Sequence, residues 1–146
     1  MASKGIKNRL LTLAMLSIGF SAWASATDQT HSGPASPKGL SAAYLACQQQ
    51  ARGAVEQAAC ISQEQSLQDK RLNRVYKQLM AALNADGKAK LVDAQRAWLQ
   101  SRTKDGNLEA AIYGNTQAEN LDGGEAALFR LCVRADQLEK YLRLIN

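Results

Sequence analysis

The chain has 146 residues, which suits a single domain, since a compact core typically needs about 100 to 150 residues. Its composition is 46% hydrophobic but only 5% aromatic, and Ala, Leu and Gln fill much of it, which favours helices over sheets. Length therefore excludes a multidomain enzyme, and the hydrophobic content argues against a chain that is disordered throughout.

The N-terminal residues have the three parts of a secretory signal peptide. Lys4, Lys7 and Arg9 form a basic head, an apolar run covers residues 10–20, and the small-residue endings Ala22-Trp23-Ala24 and Ala24-Ser25-Ala26 follow. The apolar run is too short to span a bilayer, which takes about 20 residues. We therefore expect residues 1–24 to be a signal peptide and the mature chain to be periplasmic or secreted. The first cysteine is Cys47, so we expect no lipid and no stable membrane anchor.

The net charge of +5 belongs largely to this segment. Taking its 3 cations from the 18 Lys and Arg leaves 15, against 13 Asp and Glu, which is a net charge of +2. This balance and the expected export argue against a nucleic-acid partner. A basic cluster between Glu64 and Lys77 is predicted to be a solvated helix face, and its members are Lys70, Arg71, Arg74 and Lys77.

Residues 25–39 are predicted to form a flexible linker. They contain both prolines and almost no apolar side chain. His31, the only histidine, lies in this segment and is predicted to be solvated. The domain itself would therefore occupy residues 40–146.

Helical periodicity begins at Leu40 and predicts an all-α fold, a small bundle of about four helices with antiparallel packing. The first three helices are expected over Ser41–Arg52, Ala54–Leu83 and Gly87 to about Tyr113, with Ser41 and Asp86 as N-caps. Asn115–Leu121 is expected to be a polar loop, and Asp122 is expected to cap the fourth helix.

Each long helix has an apolar face at helical spacing. The predicted faces are Leu72, Val75, Leu79 and Leu83 on the second helix; Leu91, Ala94, Trp98 and Ser101 on the third; and Leu128, Leu131, Ala135, Leu138, Leu142 and Ile145 on the fourth. The last set is a regular seam that would either pack inside one molecule or form a coiled-coil dimer. The sequence leaves the oligomeric state open.

The three cysteines cannot all pair within one exported molecule. Cys47 and Cys60 lie on either side of the Gly53 break, so a helical hairpin would bring them to disulfide distance. Cys132 is then predicted to be a shielded, inert thiol beside the apolar seam. Neither the number nor the spacing of possible ligands predicts a zinc site, and no cofactor is expected.

Catalytic residues are difficult to place in this chain. A nucleophile needs an adjacent base, and the only imidazole lies in the linker. Carboxylates for sugar hydrolysis are present, but we expect them to face solvent: Asp93, Asp105, Glu109 and Glu119. The sequence therefore predicts a protein that is not an enzyme.

Two segments resemble the LprI-type family of small exported bacterial proteins. The first is LNRVYKQLM over residues 72–80, and the second is QRAWL over residues 95–99 followed by Arg102. Within them the family motif consists of Leu72, Asn73, Tyr76, Gln95, Arg96, Trp98, Leu99 and Arg102. The spacing of Cys47 and Cys60 also matches, and the resemblance covers about Ala43 to Leu142.

The resemblance implies an all-helical, disulfide-bonded envelope domain that is non-catalytic and inhibits lysozyme through a protein–protein contact. The family pattern has a cysteine where this chain has Gly106, and that cysteine would pair with one at position 132. The resemblance therefore also implies that Cys132 has lost its partner.

Two questions stay open at this level. In the first interpretation, Trp98 fills the space inside an antiparallel helix pair, and polar side chains pair around it: Asn73, Tyr76, Gln95 and Arg102. In the second interpretation, Trp98 and Arg96 are exposed anchors for a partner. The alternatives to a lysozyme-type target are an immunity or accessory protein for one envelope toxin, and a structural protein. Because c-type lysozymes are strongly basic, the predicted contact is a local acidic patch of Glu119, Asp122 and Glu125.

Overall fold

A computed structural model describes residues 36–114 and 116–145 of the chain. Its elements are α1 (Ala42–Gln50), α2 (Ala54–Ala82), α3 (Ala85–Tyr113) and α4 (Gln117–Ile145). The described residues include no strand, so the predicted all-α fold is confirmed. The predicted signal peptide, most of the predicted linker and His31 lie outside the described residues. Across 36–114 and 116–145, none of the helices has both the length and the apolar character of a membrane span.

The short helix α1 folds back on α2 as a hairpin that a disulfide closes. Ser41 caps α1, since its Oγ accepts a hydrogen bond from the Tyr44 backbone N–H at 3.0 Å. The Cα atoms of Cys47 and Cys60 are 5.8 Å apart, and their sulfur atoms are bonded. The predicted disulfide is therefore confirmed.

Helices that follow each other in the chain run antiparallel, and the largest interface joins α2 to α4, which run parallel. Side-chain pairs fix this direction: Gln65 bonds to the Gly124 carbonyl, and six residues further along α2 Arg71 reaches Asp136. The α4 seam is the centre of this interface. Leu128, Leu131 and Ala135 are at most 1% exposed, so the seam packs inside one molecule.

The predicted face of α2 is confirmed, while the seam of α4 ends earlier than predicted. Leu72, Val75 and Leu79 are buried against the seam. Leu142 is only half-buried, and Ile145 is 46% exposed. The last turn of α4 therefore contributes little to the core.

Helix α3 contributes much less to the core than predicted. Leu91 is its one buried residue among those described, Trp98 is half-buried, and Ala94 and Ser101 are exposed. The inward face is rotated toward Gln95 and Arg102. Because α2 and α4 bury most of their apolar surface against each other, α3 covers only a narrow strip of the bundle.

Two helices begin earlier than predicted, and side-chain caps explain both shifts. Asn84, rather than Asp86, caps α3, because its Oδ1 accepts from the Gly87 backbone N–H at 2.9 Å. The predicted polar loop is instead largely the first turns of α4. There Thr116 and Glu119 bond reciprocally, Thr116 N to Oε2 at 2.8 Å and Glu119 N to Oγ1 at 3.3 Å, as in a capping box.

Arg71 is not part of a solvated face, as the sequence predicted, but spans the interface between α2 and α4. Its Nε donates to Glu139 at 2.8 Å and its Nη2 to Asp136 at 2.6 Å. Its Nη1 lies 3.9 Å from the Sγ of Cys132, which is fully buried. The basic residues beside it on α2 are exposed: Lys70, Arg74 and Lys77.

Candidate functional site

All eight motif residues line one open groove between α2 and α3, which we call the motif groove. Its volume is about 310 Å³, and Asp69 and Val92 complete its lining. The geometry follows from the helical hairpin: α2 and α3 are joined by a tight turn at Leu83–Asn84, and motif positions three or four apart share one face of each helix. Because α2 and α3 are in close contact at few points, the groove stays open.

The α2 wall has an apolar floor and a polar rim. Leu72 is buried at the floor, and Tyr76 is half-buried above it. On the rim, the Nδ2 of Asn73 donates to Oδ2 of Asp69 at 3.2 Å, within the same helix. The polar rim of α2 is therefore stabilised locally and does not hydrogen-bond across the groove to α3.

The α3 wall presents two exposed motif side chains. Leu99 is 47% exposed, and the Arg96 side chain is 74% exposed, with its nearest carboxylate, Asp93, at 3.9 Å. A surface pair at that distance contributes little to stability. Both side chains are therefore available for contacts outside the chain.

Trp98 separates the motif groove from a second cavity between α3 and α4. The indole is half-buried and packs against the core residues around Leu131. The guanidinium carbons of Arg102 and Arg134 lie 5.7 and 5.8 Å from its ring centroid, within cation–π range. Trp98 is therefore tied to the core and also forms part of a solvent-facing wall.

The polar pairing expected around Trp98 differs from the observed one. Gln95 does not bond to the α2 residues but accepts from Nε of Arg134 on α4 at 3.1 Å. Arg134 gave no signal in the sequence, because an arginine beside an apolar seam usually faces solvent. It is instead 7% exposed.

The motif groove is lined by arginine, amide and apolar groups and by one carboxylate, Asp69. Among the described residues, no group of three or more His, Cys, Asp or Glu is arranged to hold a metal ion. The expectation that Glu109 faces solvent is wrong, because its carboxylate forms a bidentate pair with Arg130, with Oε2 and Nη2 2.8 Å apart. This pair ties α3 to α4.

The acidic residues predicted as a contact loop lie on helix α4 and face two directions. Glu119 borders a cavity next to Gly106. Hydrogen bonds from Thr116 lower the pKa of the Glu119 carboxyl. Asp122 and Glu125 border a different cavity, on the side of α1 and α2.

Glu125 also accepts a hydrogen bond from the buried Tyr44 hydroxyl at 2.9 Å. Burial, reinforced by this hydrogen bond, raises the pKa of Tyr44 to about 12. Of the three acidic residues, Asp122 alone is exposed, and Glu119 and Glu125 are half-buried.

The family-derived pairing of positions 106 and 132 does not match this geometry. A Cβ placed on Gly106 would meet no atom within 4 Å. The Cys132 side chain lies instead against Arg71, toward α2. A disulfide usually needs Cβ atoms about 3.8 Å apart, and none lies within 4 Å of a Cβ built at position 106.

A polar cluster without a recognisable sequence signal holds the segment before α1. The Glu64 carboxylate accepts from the backbone N–H and the hydroxyl of Ser41 at 2.9 and 2.6 Å, and Gln68 donates to the Gly39 carbonyl at 2.7 Å. Burial raises the pKa of Glu64, but the hydrogen bonds from Ser41 and Gln68 outweigh it and lower the pKa overall. A Cβ on Gly39 would overlap the Arg71 guanidinium and the Asp136 carboxylate, so a larger residue there would displace this ion pair.

Comparison with known proteins identifies the family of the chain. No curated protein and no solved structure matches it significantly. The family described as "Lysozyme inhibitor LprI" matches residues 46–141, which include α2, α3, both disulfide cysteines and the whole motif groove. The chain therefore belongs to the LprI lysozyme inhibitor family.

Proposed function

We propose that this chain is a non-catalytic envelope protein that inhibits a lysozyme-type cell-wall hydrolase by binding it with the motif groove. One observation carries the proposal: within the family match, the eight motif residues lie far apart in sequence yet line a single open groove. Side chains that only stabilised the bundle would be expected at its centre, whereas Arg96 and Leu99 are exposed.

The groove is chemically suited to the cleft of such an enzyme. Glycoside hydrolases use a pair of carboxylates beside the scissile bond. Arginine binds carboxylates with strong, charge-assisted hydrogen bonds, and Arg96 and Arg102 both line the groove. Trp98 and Leu99 add apolar surface, and tryptophan and arginine are frequent hot spots of protein interfaces.

The same lining supports binding rather than hydrolysis. The groove offers Asp69 as its one carboxylate, and that oxygen already accepts from Asn73. Hydrolysis of a glycoside by the common mechanisms needs two carboxyl groups at a defined separation. We therefore propose that the chain blocks a substrate cleft and carries out no chemistry.

The acidic residues of α4 are an alternative contact surface. They would suit a strongly basic lysozyme, which a net charge of +2 on the mature chain would not attract. Glu119 and Glu125 are engaged within the fold, so Asp122 is the residue that tests this surface without disturbing the bundle.

We also propose that the domain works outside the cytoplasm, after cleavage of the signal peptide predicted over residues 1–24. The basic head, the short apolar run and the small residues that follow support this location. Export would place the domain in the compartment where cell-wall hydrolases act. It is also consistent with the Cys47–Cys60 disulfide, since such bonds persist in oxidising compartments.

The test is a lysis assay in which a c-type lysozyme acts on two substrates, a suspension of cell walls and a soluble chitooligosaccharide. A protein that blocks the cleft should slow hydrolysis of both substrates and reach full inhibition at a one-to-one ratio. A protein that only coats the wall should protect the suspension alone. If folded protein in excess inhibits neither reaction, lysozyme is not the target, and a dedicated envelope toxin or a structural role becomes the better hypothesis.

A further inference from the structure

The second cavity beside Trp98, which we call the α3–α4 cavity, is separate from the motif groove. Its volume is about 350 Å³, which is near the lower end of small-molecule sites. Pro37, Trp98, Phe129 and Val133 supply apolar walls. Polar groups enter from α4 alone, and they belong to Arg130, Arg134 and Gln137.

Arg134 is the unusual member of this lining. It is 7% exposed, and its neutral partners occupy two of its three nitrogens: Nε donates to Gln95 at 3.1 Å and Nη1 to Gln137 at 2.7 Å. Nη2 is buried and has no hydrogen-bond partner among the described residues. Its positive charge faces the Trp98 ring and two amide oxygens, and none of the described carboxylates forms an ion pair with it.

Two other partly buried arginines, which reach across helix interfaces, contrast with Arg134. Arg71 is paired with Asp136 and Glu139, and Arg130 is paired with Glu109. Buried charges in proteins are normally paired, because an unpaired ion loses its hydration without compensation. Consistent with this cost, burial lowers the pKa of Arg134, whereas hydrogen bonds to carboxylates raise the pKa of Arg71 and Arg130.

We propose that the α3–α4 cavity is a binding site for an organic carboxylate with an apolar body, whose carboxylate pairs with Arg134. A single negative charge would balance the charge of Arg134, because Arg130, the other cation that lines this cavity, is already paired with Glu109. A phosphate dianion would leave an excess negative charge in the same apolar surroundings. The apolar walls would hold the body of the ligand against Trp98.

The test uses the full chain carrying Trp23→Phe, so that Trp98 is the only tryptophan. The chain is titrated with 3-phenylpropanoate, and the fluorescence of Trp98 is followed at neutral pH. The neutral amide 3-phenylpropanamide has the same body without the charge. We expect a saturable change with the acid and at least tenfold weaker binding of the amide.

Variants at two positions localise the site. Arg134→Met should weaken binding of the acid at least tenfold while raising the unfolding temperature, because it removes an unpaired buried charge. Arg74→Met removes an exposed arginine of α2 and should leave binding unchanged. Val133 lines the cavity and is 55% exposed, so Val133→Glu should fold. Its carboxylate should pair with Arg134 and weaken binding of the acid tenfold. Val133→Gln should also fold and should leave binding of the acid unchanged.

Two results would overturn the proposal. The first is that the acid produces no saturable fluorescence change at millimolar concentration. The second is that the unsubstituted protein binds the amide as tightly as the acid, or that Arg134→Met or Val133→Glu binds the acid as tightly as the unsubstituted protein does. The experiment contains no hydrolase, so its outcome is independent of the proposed inhibition of lysozyme.

Discussion

Nη2 of Arg71 on α2 lies 2.6 Å from Oδ1 of Asp136 on α4, and this ion pair covers the buried thiol of Cys132. The same guanidinium bonds to Glu139 and contacts the backbone of Gly39. One side chain thus joins three parts of the chain: the segment before α1, the middle of α2 and the middle of α4.

Removing Arg71 should destabilise the whole bundle. Arg71→Met keeps most of the apolar stem but leaves Asp136 and Glu139 without their partner in a partly buried site, so we expect a loss of about 2 to 3 kcal/mol. Urea unfolding followed by circular dichroism measures this loss. The matched variant Arg74→Met, three residues along α2, should change the stability by less than about 0.5 kcal/mol. Equal effects of the two substitutions would contradict the role assigned to Arg71.

Stability should fall in acid, because the polar cluster depends on ionised carboxylates. The hydrogen bond from Arg71 outweighs burial and lowers the pKa of Glu139, and hydrogen bonds from Ser41 and Gln68 do the same for Glu64. A lowered pKa stabilises the folded state above the unfolded value of about 4.3, and this contribution is lost as the pH falls through the folded value. Urea unfolding between pH 6 and 3 should show a decline that is shallower in Glu139→Gln. An identical decline in that variant would count against this account.

Cys132 should react slowly in the folded protein. Burial raises the pKa of its thiol from 9.0 to about 11, so little thiolate exists near pH 8. A chromogenic disulfide reagent should therefore modify one thiol per chain only after denaturant is added. Above about pH 9 the thiol ionises in the unfolded chain but stays protonated in the folded state, so the free energy of unfolding should fall as the pH rises. This fall should be smaller in Cys132→Ala. Rapid modification of the native protein would show that the thiol is accessible.

The helical fold, the hairpin disulfide and the apolar faces of α2 and α4 were predictable, because they depend on local periodicity and on cysteine parity. Leu72, Leu79 and Leu131 are buried as their spacing predicts. The start of α4 was missed because Gly123 and Gly124 resemble a loop, although Thr116 and Glu119 carry the capping signal. The weak packing of α3 was not predictable, since it depends on how α2 and α4 share their surfaces.

The candidate site was predictable in its members and not in its form. The motif spacing placed Asn73, Tyr76, Gln95, Trp98 and Arg102 near one another, and they do line one groove. Sequence alone could not show that the groove stays open or that Gln95 bonds to Arg134, because both depend on the position of α4. Glu119, Asp122 and Glu125 were expected in or beside a loop rather than on α4, because Gly123 and Gly124 obscured the start of that helix.

Trp98 should report on both of its roles. In the Trp23→Phe chain, its emission should be intermediate between buried and exposed, because the indole is half-buried. Trp98→Ala should cost about 2 kcal/mol, less than the roughly 3 to 5 kcal/mol of a fully buried tryptophan. Denaturant unfolding checks the stability, and acrylamide quenching checks the exposure. Fully quenchable emission with unchanged stability would remove Trp98 from the core.

Inhibition constants of variants that leave the fold intact test the central claim most directly. We would replace two exposed groove residues together, Arg96→Ala with Leu99→Ala, and compare them with Arg74→Ala with Leu67→Ala, a pair of similar exposure on α2 outside the groove. Each interface hot spot contributes more than about 1 kcal/mol, so the groove pair should weaken inhibition of a c-type lysozyme at least tenfold. The control pair and Asp122→Lys should leave the inhibition constant unchanged. If the groove pair inhibits as well as the unmodified chain while Asp122→Lys does not, the contact surface is the acidic side of α4 and the motif groove is not the binding site.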